Sequence, residues 1–170
     1  MAWKAGLLAL FLMAGAATSL RAEFNLGLSL GLRDQADYEH SFGVFGLTAD
    51  FGPSSWVVRP EVGLFNSLRL FDDGQIEESL GVIHSWRRPR YRVNLGGGLA
   101  SVPAQESGND SSALGGYVHG GIEYVREEGT AFGLDLRYGK ASDDEVTGGS
   151  LDYIQISFVF NWHIRGPKTP

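Results

Sequence analysis

The chain has 170 residues, enough for one domain, and no cysteine, which excludes disulfides and thiolate metal sites. Its net charge of −6 argues against a nucleic-acid partner. With 24 glycines, 12% aromatic residues and only 6 prolines, the composition suits an ordered, glycine-rich β protein and not a disordered segment.

The first 22 residues read as an export signal. Lys4 gives a positive start, Gly6 to Ala17 is almost wholly apolar, and the small Ala22 stands where cleavage is expected. The apolar run is shorter than the ~20 residues that a spanning helix needs, which favours cleavage over a retained anchor. Removal of residues 1–22 leaves 12 basic against 20 acidic residues, a net charge of −8.

Beyond the signal, eight segments alternate apolar and polar residues. In FNLGLSLGLR, Phe24, Leu26, Leu28, Leu30 and Leu32 share one face, and Asn25, Gly27, Ser29, Gly31 and Arg33 share the other. A period of two marks a strand with two chemically different faces. The pattern predicts strands over 24–33, 41–51, 56–70, 75–86, 91–100, 113–125, 130–139 and 151–163. The connections Gly52 to Ser55, Arg87 to Arg90 and Arg126 to Gly129 are tight. Those at the other rim are Asp34 to His40, Phe71 to Gly74, Ser101 to Ser112 and Lys140 to Ser150, and three of these four are expected to be long loops. Short turns at one rim and long loops at the other are the asymmetry of bacterial outer-membrane barrels.

Two further patterns agree with that registration. Trp56, Trp86 and Trp162 fall at the short-turn rim with Tyr91, Tyr124, Phe51 and Phe132, an expected aromatic girdle at the membrane–water interface. Phe42, Phe71, Tyr138 and Tyr153 form a weaker girdle at the other rim. Charge divides in the same way. Asp34, Asp37, Glu39, Asp72, Asp73, Glu106, Asp110, Asp143, Asp144 and Glu145 stand at the long-loop side against Lys140 alone.

The expected lipid-facing set includes Leu26, Leu28, Leu30, Phe45, Leu47, Val58, Val62, Leu64, Leu80, Val82, Val93, Leu95, Val118, Ile122, Leu134, Leu136, Ile154, Ile156, Phe158 and Phe160. Only Glu78 and His84, near strand ends, interrupt it. The inward set mixes small residues with Arg33, Asp50, Arg59, Glu61, Glu77, Arg92, Asn94, His119, Glu123, Asp135, Arg137 and Gln155. A soluble lipocalin-like barrel would invert this arrangement, with an apolar lumen and a charged exterior. The expected fold is therefore all-β, an eight-stranded antiparallel up-and-down transmembrane barrel. A signal over 1–22, a barrel over 23–163 and a short periplasmic tail over 164–170 complete the chain.

Six inward charges, Arg59, Glu61, Arg92, Glu123, Asp135 and Arg137, are expected to form a salt-bridge network that fills the lumen, since an unpaired buried ion costs several kcal/mol. A gated polar path is the competing use of the same residues. His84 and Ser85 are neighbours on one strand and point to opposite faces, so they cannot act together. His119, Asp135 and Ser157 share the lumen, but no motif marks a nucleophile there. The acidic run Ser142 to Glu145 lacks the ligand spacing of a calcium loop. No catalytic residue, metal or cofactor is assigned.

The strand grammar resembles OmpA-type and OmpX-type barrels, and the alternation of Phe158, Phe160 and Trp162 in YIQISFVFNW resembles a barrel-assembly signal. The segment GLDLRYGKASDDEVTGGSLDYIQISFVF resembles the end of the lipid A 3-O-deacylase (PagL) family, in which a late strand ends in His–x–Ser–Asn. Ser142 of Lys140-Ala141-Ser142-Asp143 matches the family's serine. Lys140 replaces its catalytic histidine and Asp143 its asparagine, so the resemblance brings no deacylase activity with it. These likenesses imply a Gram-negative outer-membrane location, monomeric state, and contact with outer-membrane lipids, lipopolysaccharide and the barrel-assembly machinery. The expected role is structural or interactive. A lipid A-modifying hydrolase and a small-molecule transport barrel are the alternatives.

Overall fold

A computed structural model of the chain describes residues 23–36, 41–52, 55–67, 75–106, 109–126, 129–143 and 149–164. The expected signal over 1–22 and residues 165–170 of the expected tail lie outside this set. Eight antiparallel strands run up and down: β1 (Glu23–Gln35), β2 (Phe42–Gly52), β3 (Trp56–Ser67), β4 (Gln75–Arg87), β5 (Tyr91–Glu106), β6 (Asn109–Val125), β7 (Thr130–Asp143) and β8 (Gly149–Ile164). Each pairs with its sequence neighbour, and β1 pairs with β8, so the sheet closes into a barrel. Closure satisfies the backbone hydrogen bonds inside the wall, which is what a strand needs to cross hydrocarbon.

Alternation decides which residues face in. Along β1, Asn25, Ser29, Arg33 and Gln35 are buried, while Leu26, Leu30 and Leu32 are exposed, Leu30 at 66%. The same division holds on β7, where Arg137 is buried and Leu134 and Leu136 are exposed. Pro60 has no N–H to donate, and the β2–β3 ladder passes from Thr48↔Glu61 directly to Phe51↔Val58 around it. Its other neighbour still pairs, as Pro60↔Leu80. The β6–β7 connection closes through Arg126 N–H donating to Thr130 O at 2.8 Å and Gly129 N–H to Arg126 O at 3.2 Å. Gly129 lies at φ +84°, the left-handed region where a side chain would be strained.

Two expected long loops are mostly strand. β5 and β6 stay paired to Glu106↔Asn109, and β7 and β8 to Asp143↔Gly149. Pairing of β5 with β4 ends at Ala100, and pairing of β6 with β7 ends at Gly115, so the β5–β6 hairpin extends beyond both neighbours. Pro103 and the Ser, Gly and Asp residues around it look like loop composition. Cross-strand pairing overrides that local preference. Glu106, Asp110 and Asp143 accordingly sit on strands. Asp37, Glu39, Asp72, Asp73, Asp144, Glu145 and Phe71 lie outside the described residues.

The aromatic girdle at the long-loop rim needs one correction. Tyr138 faces outward and is exposed, but Tyr153 faces the interior and is 1% exposed. It shares parity with Gln155 and Ser157, and its neighbour Ile154 takes the outward place. Height along the barrel puts Tyr153 at the rim, and the pleat puts it on the other side of the wall.

Candidate functional site in the barrel interior

Toward the long-loop rim, Ala100, Val102, Ala113, Tyr117, Ala141, Leu151 and Tyr153 form one apolar cluster. Against it lies a network centred on Glu77, which is buried on β4. Arg33, fully buried on β1, reaches across the lumen and donates to both Glu77 carboxylate oxygens, at 2.7 and 3.0 Å. Its Nε and Nη2 also donate to Gln155 Oε1 at 3.1 and 2.8 Å, and Gln155 Nε2 donates to Ser157 Oγ at 2.9 Å. From β7, Arg137 donates to Glu77 Oε1 at 3.5 Å and to Glu61 of β3. These strands are not neighbours, so the ion pairs cross the lumen and fill it.

Each guanidinium also lies on a ring. Arg33 stands 3.7 Å from the Tyr153 ring centroid and Arg137 stands 4.4 Å from that of Tyr117. Such stacking suits the planar, weakly hydrated guanidinium better than an ammonium. Room for the Tyr153 ring comes from Gly139, directly opposite in register, where a Cβ would overlap the ring itself.

A second network lies toward the short-turn rim. Glu123 of β6 accepts from Arg92 Nη2 at 2.5 Å, from Asn161 Nδ2 at 2.9 Å and from Asn94 Nδ2. Asn94 Oδ1 in turn accepts from Ser85 Oγ at 2.7 Å. Beside this cluster, Arg59 donates to both oxygens of Asp50, at 2.6 and 2.9 Å. Several donors on one carboxylate offset much of its desolvation cost. Replacement of Asn161 by alanine removes a charge-assisted donor in a closed site. An expected loss of about 1.5–3 kcal/mol follows, read from the urea midpoint of the folded barrel.

The six charges singled out in the sequence thus fall into separate groups. Arg92 meets Glu123, Arg137 meets Glu61, Arg59 turns to Asp50, and Asp135 meets His119 at 2.8 Å. Arg33, Glu77, Asp50 and Gln155 belong to the same interior. All four stand in the inward set read from the alternation, outside the six charges chosen as the network.

His119, Asp135 and Ser157 lie on β6, β7 and β8 in that order, with Gly121↔Asp135 and Asp135↔Ser157 in register. The acid stands between the imidazole and the hydroxyl, and Ser157 Oγ is bonded to Gln155. A hydrolytic triad needs the imidazole in the middle. Among the described residues no group of three or more His, Asp or Glu could hold a metal ion. Ser142 pairs with Ser150 near the end of β7, and Lys140, in the histidine's place, lies 3.6 Å from Asp152 in an exposed ion pair.

The outer wall carries an aromatic belt at the short-turn rim. Trp56, Trp86, Tyr91 and Trp162 are exposed, and Tyr124 is half-buried. His84 stands between Trp56 and Trp86, 4.4 Å from each ring. Tyr91, Tyr124 and Phe132 follow around the wall at centroid spacings of 5.7 and 5.5 Å, and Phe160 packs edge-on against Trp162 at 4.4 Å. Phe51 is buried against Phe24.

A closed eight-stranded barrel, apolar outside and ion-paired inside, is the class of protein that this geometry defines. No protein-family model matches the chain, and no curated protein is significantly similar in sequence. Solved structures do share the fold. Neisserial surface protein A (NspA) superposes with a TM-score of 0.60 at 14% identity, over 84% of this chain and 97% of that one. The N-terminal β-barrel domain of Pseudomonas aeruginosa OprF gives 0.56 at 12% identity, over 81% and 97%. The outer membrane enzyme PagL gives 0.51 at 10% identity, over 81% and 98%. The chain therefore has the fold of the small eight-stranded outer-membrane barrels.

Proposed function

We propose that the protein is a monomeric outer-membrane barrel with a structural or interaction role, its short-turn rim in the periplasm and its acidic rim outside. The observation that carries this reading is the inversion of ordinary burial. The exposed wall is Leu, Val, Ile and Phe on every strand, and the buried interior holds Arg33, Arg59, Arg92, Arg137 and their carboxylates. Such a surface is stable only against lipid. The cross-lumen pairs support a filled interior rather than an open pore, because an eight-stranded barrel is just wide enough for side chains to fill.

Electrophoretic mobility of the outer-membrane fraction with and without boiling tests this reading. The expected result is a protein in that fraction that migrates differently unheated. A soluble periplasmic protein with no heat shift would overturn the reading and turn the search to a lumenal ligand.

A lipid-modifying role would need a base beside Ser142. The Lys140–Asp152 pair occupies the histidine's place instead, which supports a non-enzymatic protein. The expected outcome of Ser142→Ala is an unchanged lipid A mass spectrum, and a spectrum that depends on Ser142 would replace this reading with the hydrolase. Contact with lipopolysaccharide belongs to the same proposal, the acidic rim meeting its phosphates through divalent cations.

A further inference from the structure

The charges of the short-turn rim lie apart from the interior networks. β4 leaves the wall as Trp86-Arg87-Arg88-Pro89-Arg90-Tyr91, three arginines within four residues and no acid among them. Arg87, Arg88 and Arg90 are exposed, whereas Arg92, one step into β5, is buried on Glu123. Arg88 N–H donates to Tyr91 O at 2.8 Å, which fixes the turn, and Val125 N–H donates to Arg90 O at 2.9 Å, which ties it to the end of β6. Arg126, the next residue, is also exposed. Glu127 and Glu128 follow it in sequence, so the β4–β5 turn is the stronger positive site.

Directly above these arginines on the lipid-facing wall stand the Trp56–His84–Trp86 stack and the Tyr91–Tyr124 pair. Indole and phenol rings settle at the level of the lipid carbonyls and headgroups. Arginines one to four residues beyond that level meet the phosphates, and a guanidinium binds phosphate oxygens in pairs. We propose that the β4–β5 turn, with the aromatic wall above it, is a binding site for an anionic phospholipid of the adjoining leaflet. The aromatic stack bounds the acyl and glycerol portion, and Arg88 and Arg90 hold the phosphate. The inference rests on the membrane reading above.

The test uses the full barrel reconstituted into vesicles of phosphatidylcholine with a minority of phosphatidylglycerol or cardiolipin. The complex is then extracted gently, and its co-purifying lipids are measured by mass spectrometry. The expected result is enrichment of the anionic lipid over its bulk fraction. The double variant Arg88→Gln/Arg90→Gln should lower that retention roughly thirtyfold, since each basic residue near the surface contributes about fivefold. Lys140→Gln, at the opposite rim, should leave it unchanged. Arg126→Gln supplies a second reading with a fall of at most about fivefold. Equal retention by wild type and the double variant, or no enrichment in the wild type, would overturn the proposal. A chain that floats with neutral vesicles but shows no enrichment loses only this site. A chain that never enters vesicles loses the membrane reading as well.

Discussion

Replacement of Glu77 by alanine is expected to destabilise the folded barrel by about 3–5 kcal/mol, the cost of stripping the partner from a buried charge. Glu77 is 2% exposed and is the acceptor that Arg33 and Arg137 share. Arg33 would lose the carboxylate to which it donates twice, and it would keep its bonds to Gln155 and its contact with the Tyr153 ring. Arg137 would keep Glu61. The check is a urea titration of the vesicle-inserted protein, with unheated gel mobility as the measure of folded fraction. Glu77→Gln, which keeps the shape and removes the charge, is expected to be destabilised as well. If both variants unfold at the wild-type midpoint, the cross-lumen network is not what stabilises the interior. Partial rescue of Glu77→Ala by a second change, Arg33→Met, would identify the Arg33 guanidinium, deprived of that carboxylate, as the cause.

The second large effect concerns the outer wall. Leu136 is near the middle of β7 and is 53% exposed. On a water-soluble barrel a leucine-to-arginine change at such a position would be close to neutral, within about 0.5 kcal/mol. In a bilayer the same change puts a guanidinium at the depth of the hydrocarbon core, at a cost of about 2–4 kcal/mol. The prediction for Leu136→Arg is therefore a fall of that size in vesicle-inserted stability. Trp162→Arg, in the belt at the short-turn rim, should show a smaller loss, since the penalty falls toward about 0–1 kcal/mol near the interface. Equal, near-zero effects at both positions would mean that water covers the exposed leucines. This gradient with depth reads the membrane face directly, whatever the interior does.

The two substitutions probe opposite sides of one wall, and the protein's design links them. On the proposed membrane reading, lipid outside removes the hydrophobic effect as the force that packs the interior, because the apolar side chains already have an apolar surrounding. Backbone ladders and interior ion pairs must then hold the barrel together. The interior fits that need: the Glu77 network packs against an apolar cluster that includes Leu151, Val102 and Tyr153, and the Glu123 network lies toward the short-turn rim.

Strand number, the identity of the two faces and the aromatic belt were legible in the sequence because each rests on a local rule. The pleat sends alternate residues to opposite sides, so Leu26 and Arg33 could be assigned without knowing any partner. Closure, register and ion pairing were not local. Arg33 and Glu77 are 44 residues apart and meet only because β1 and β4 face each other across a closed sheet. The extended β5–β6 hairpin was hidden for the same reason, since residues 101–106 have loop-like composition and become strand through the partner beside them. Alternation alone determined what this protein turns outward. Which charge neutralises which, and where the imidazole, acid and hydroxyl fall in order, was decided only when the sheet closed and gave each strand its neighbours.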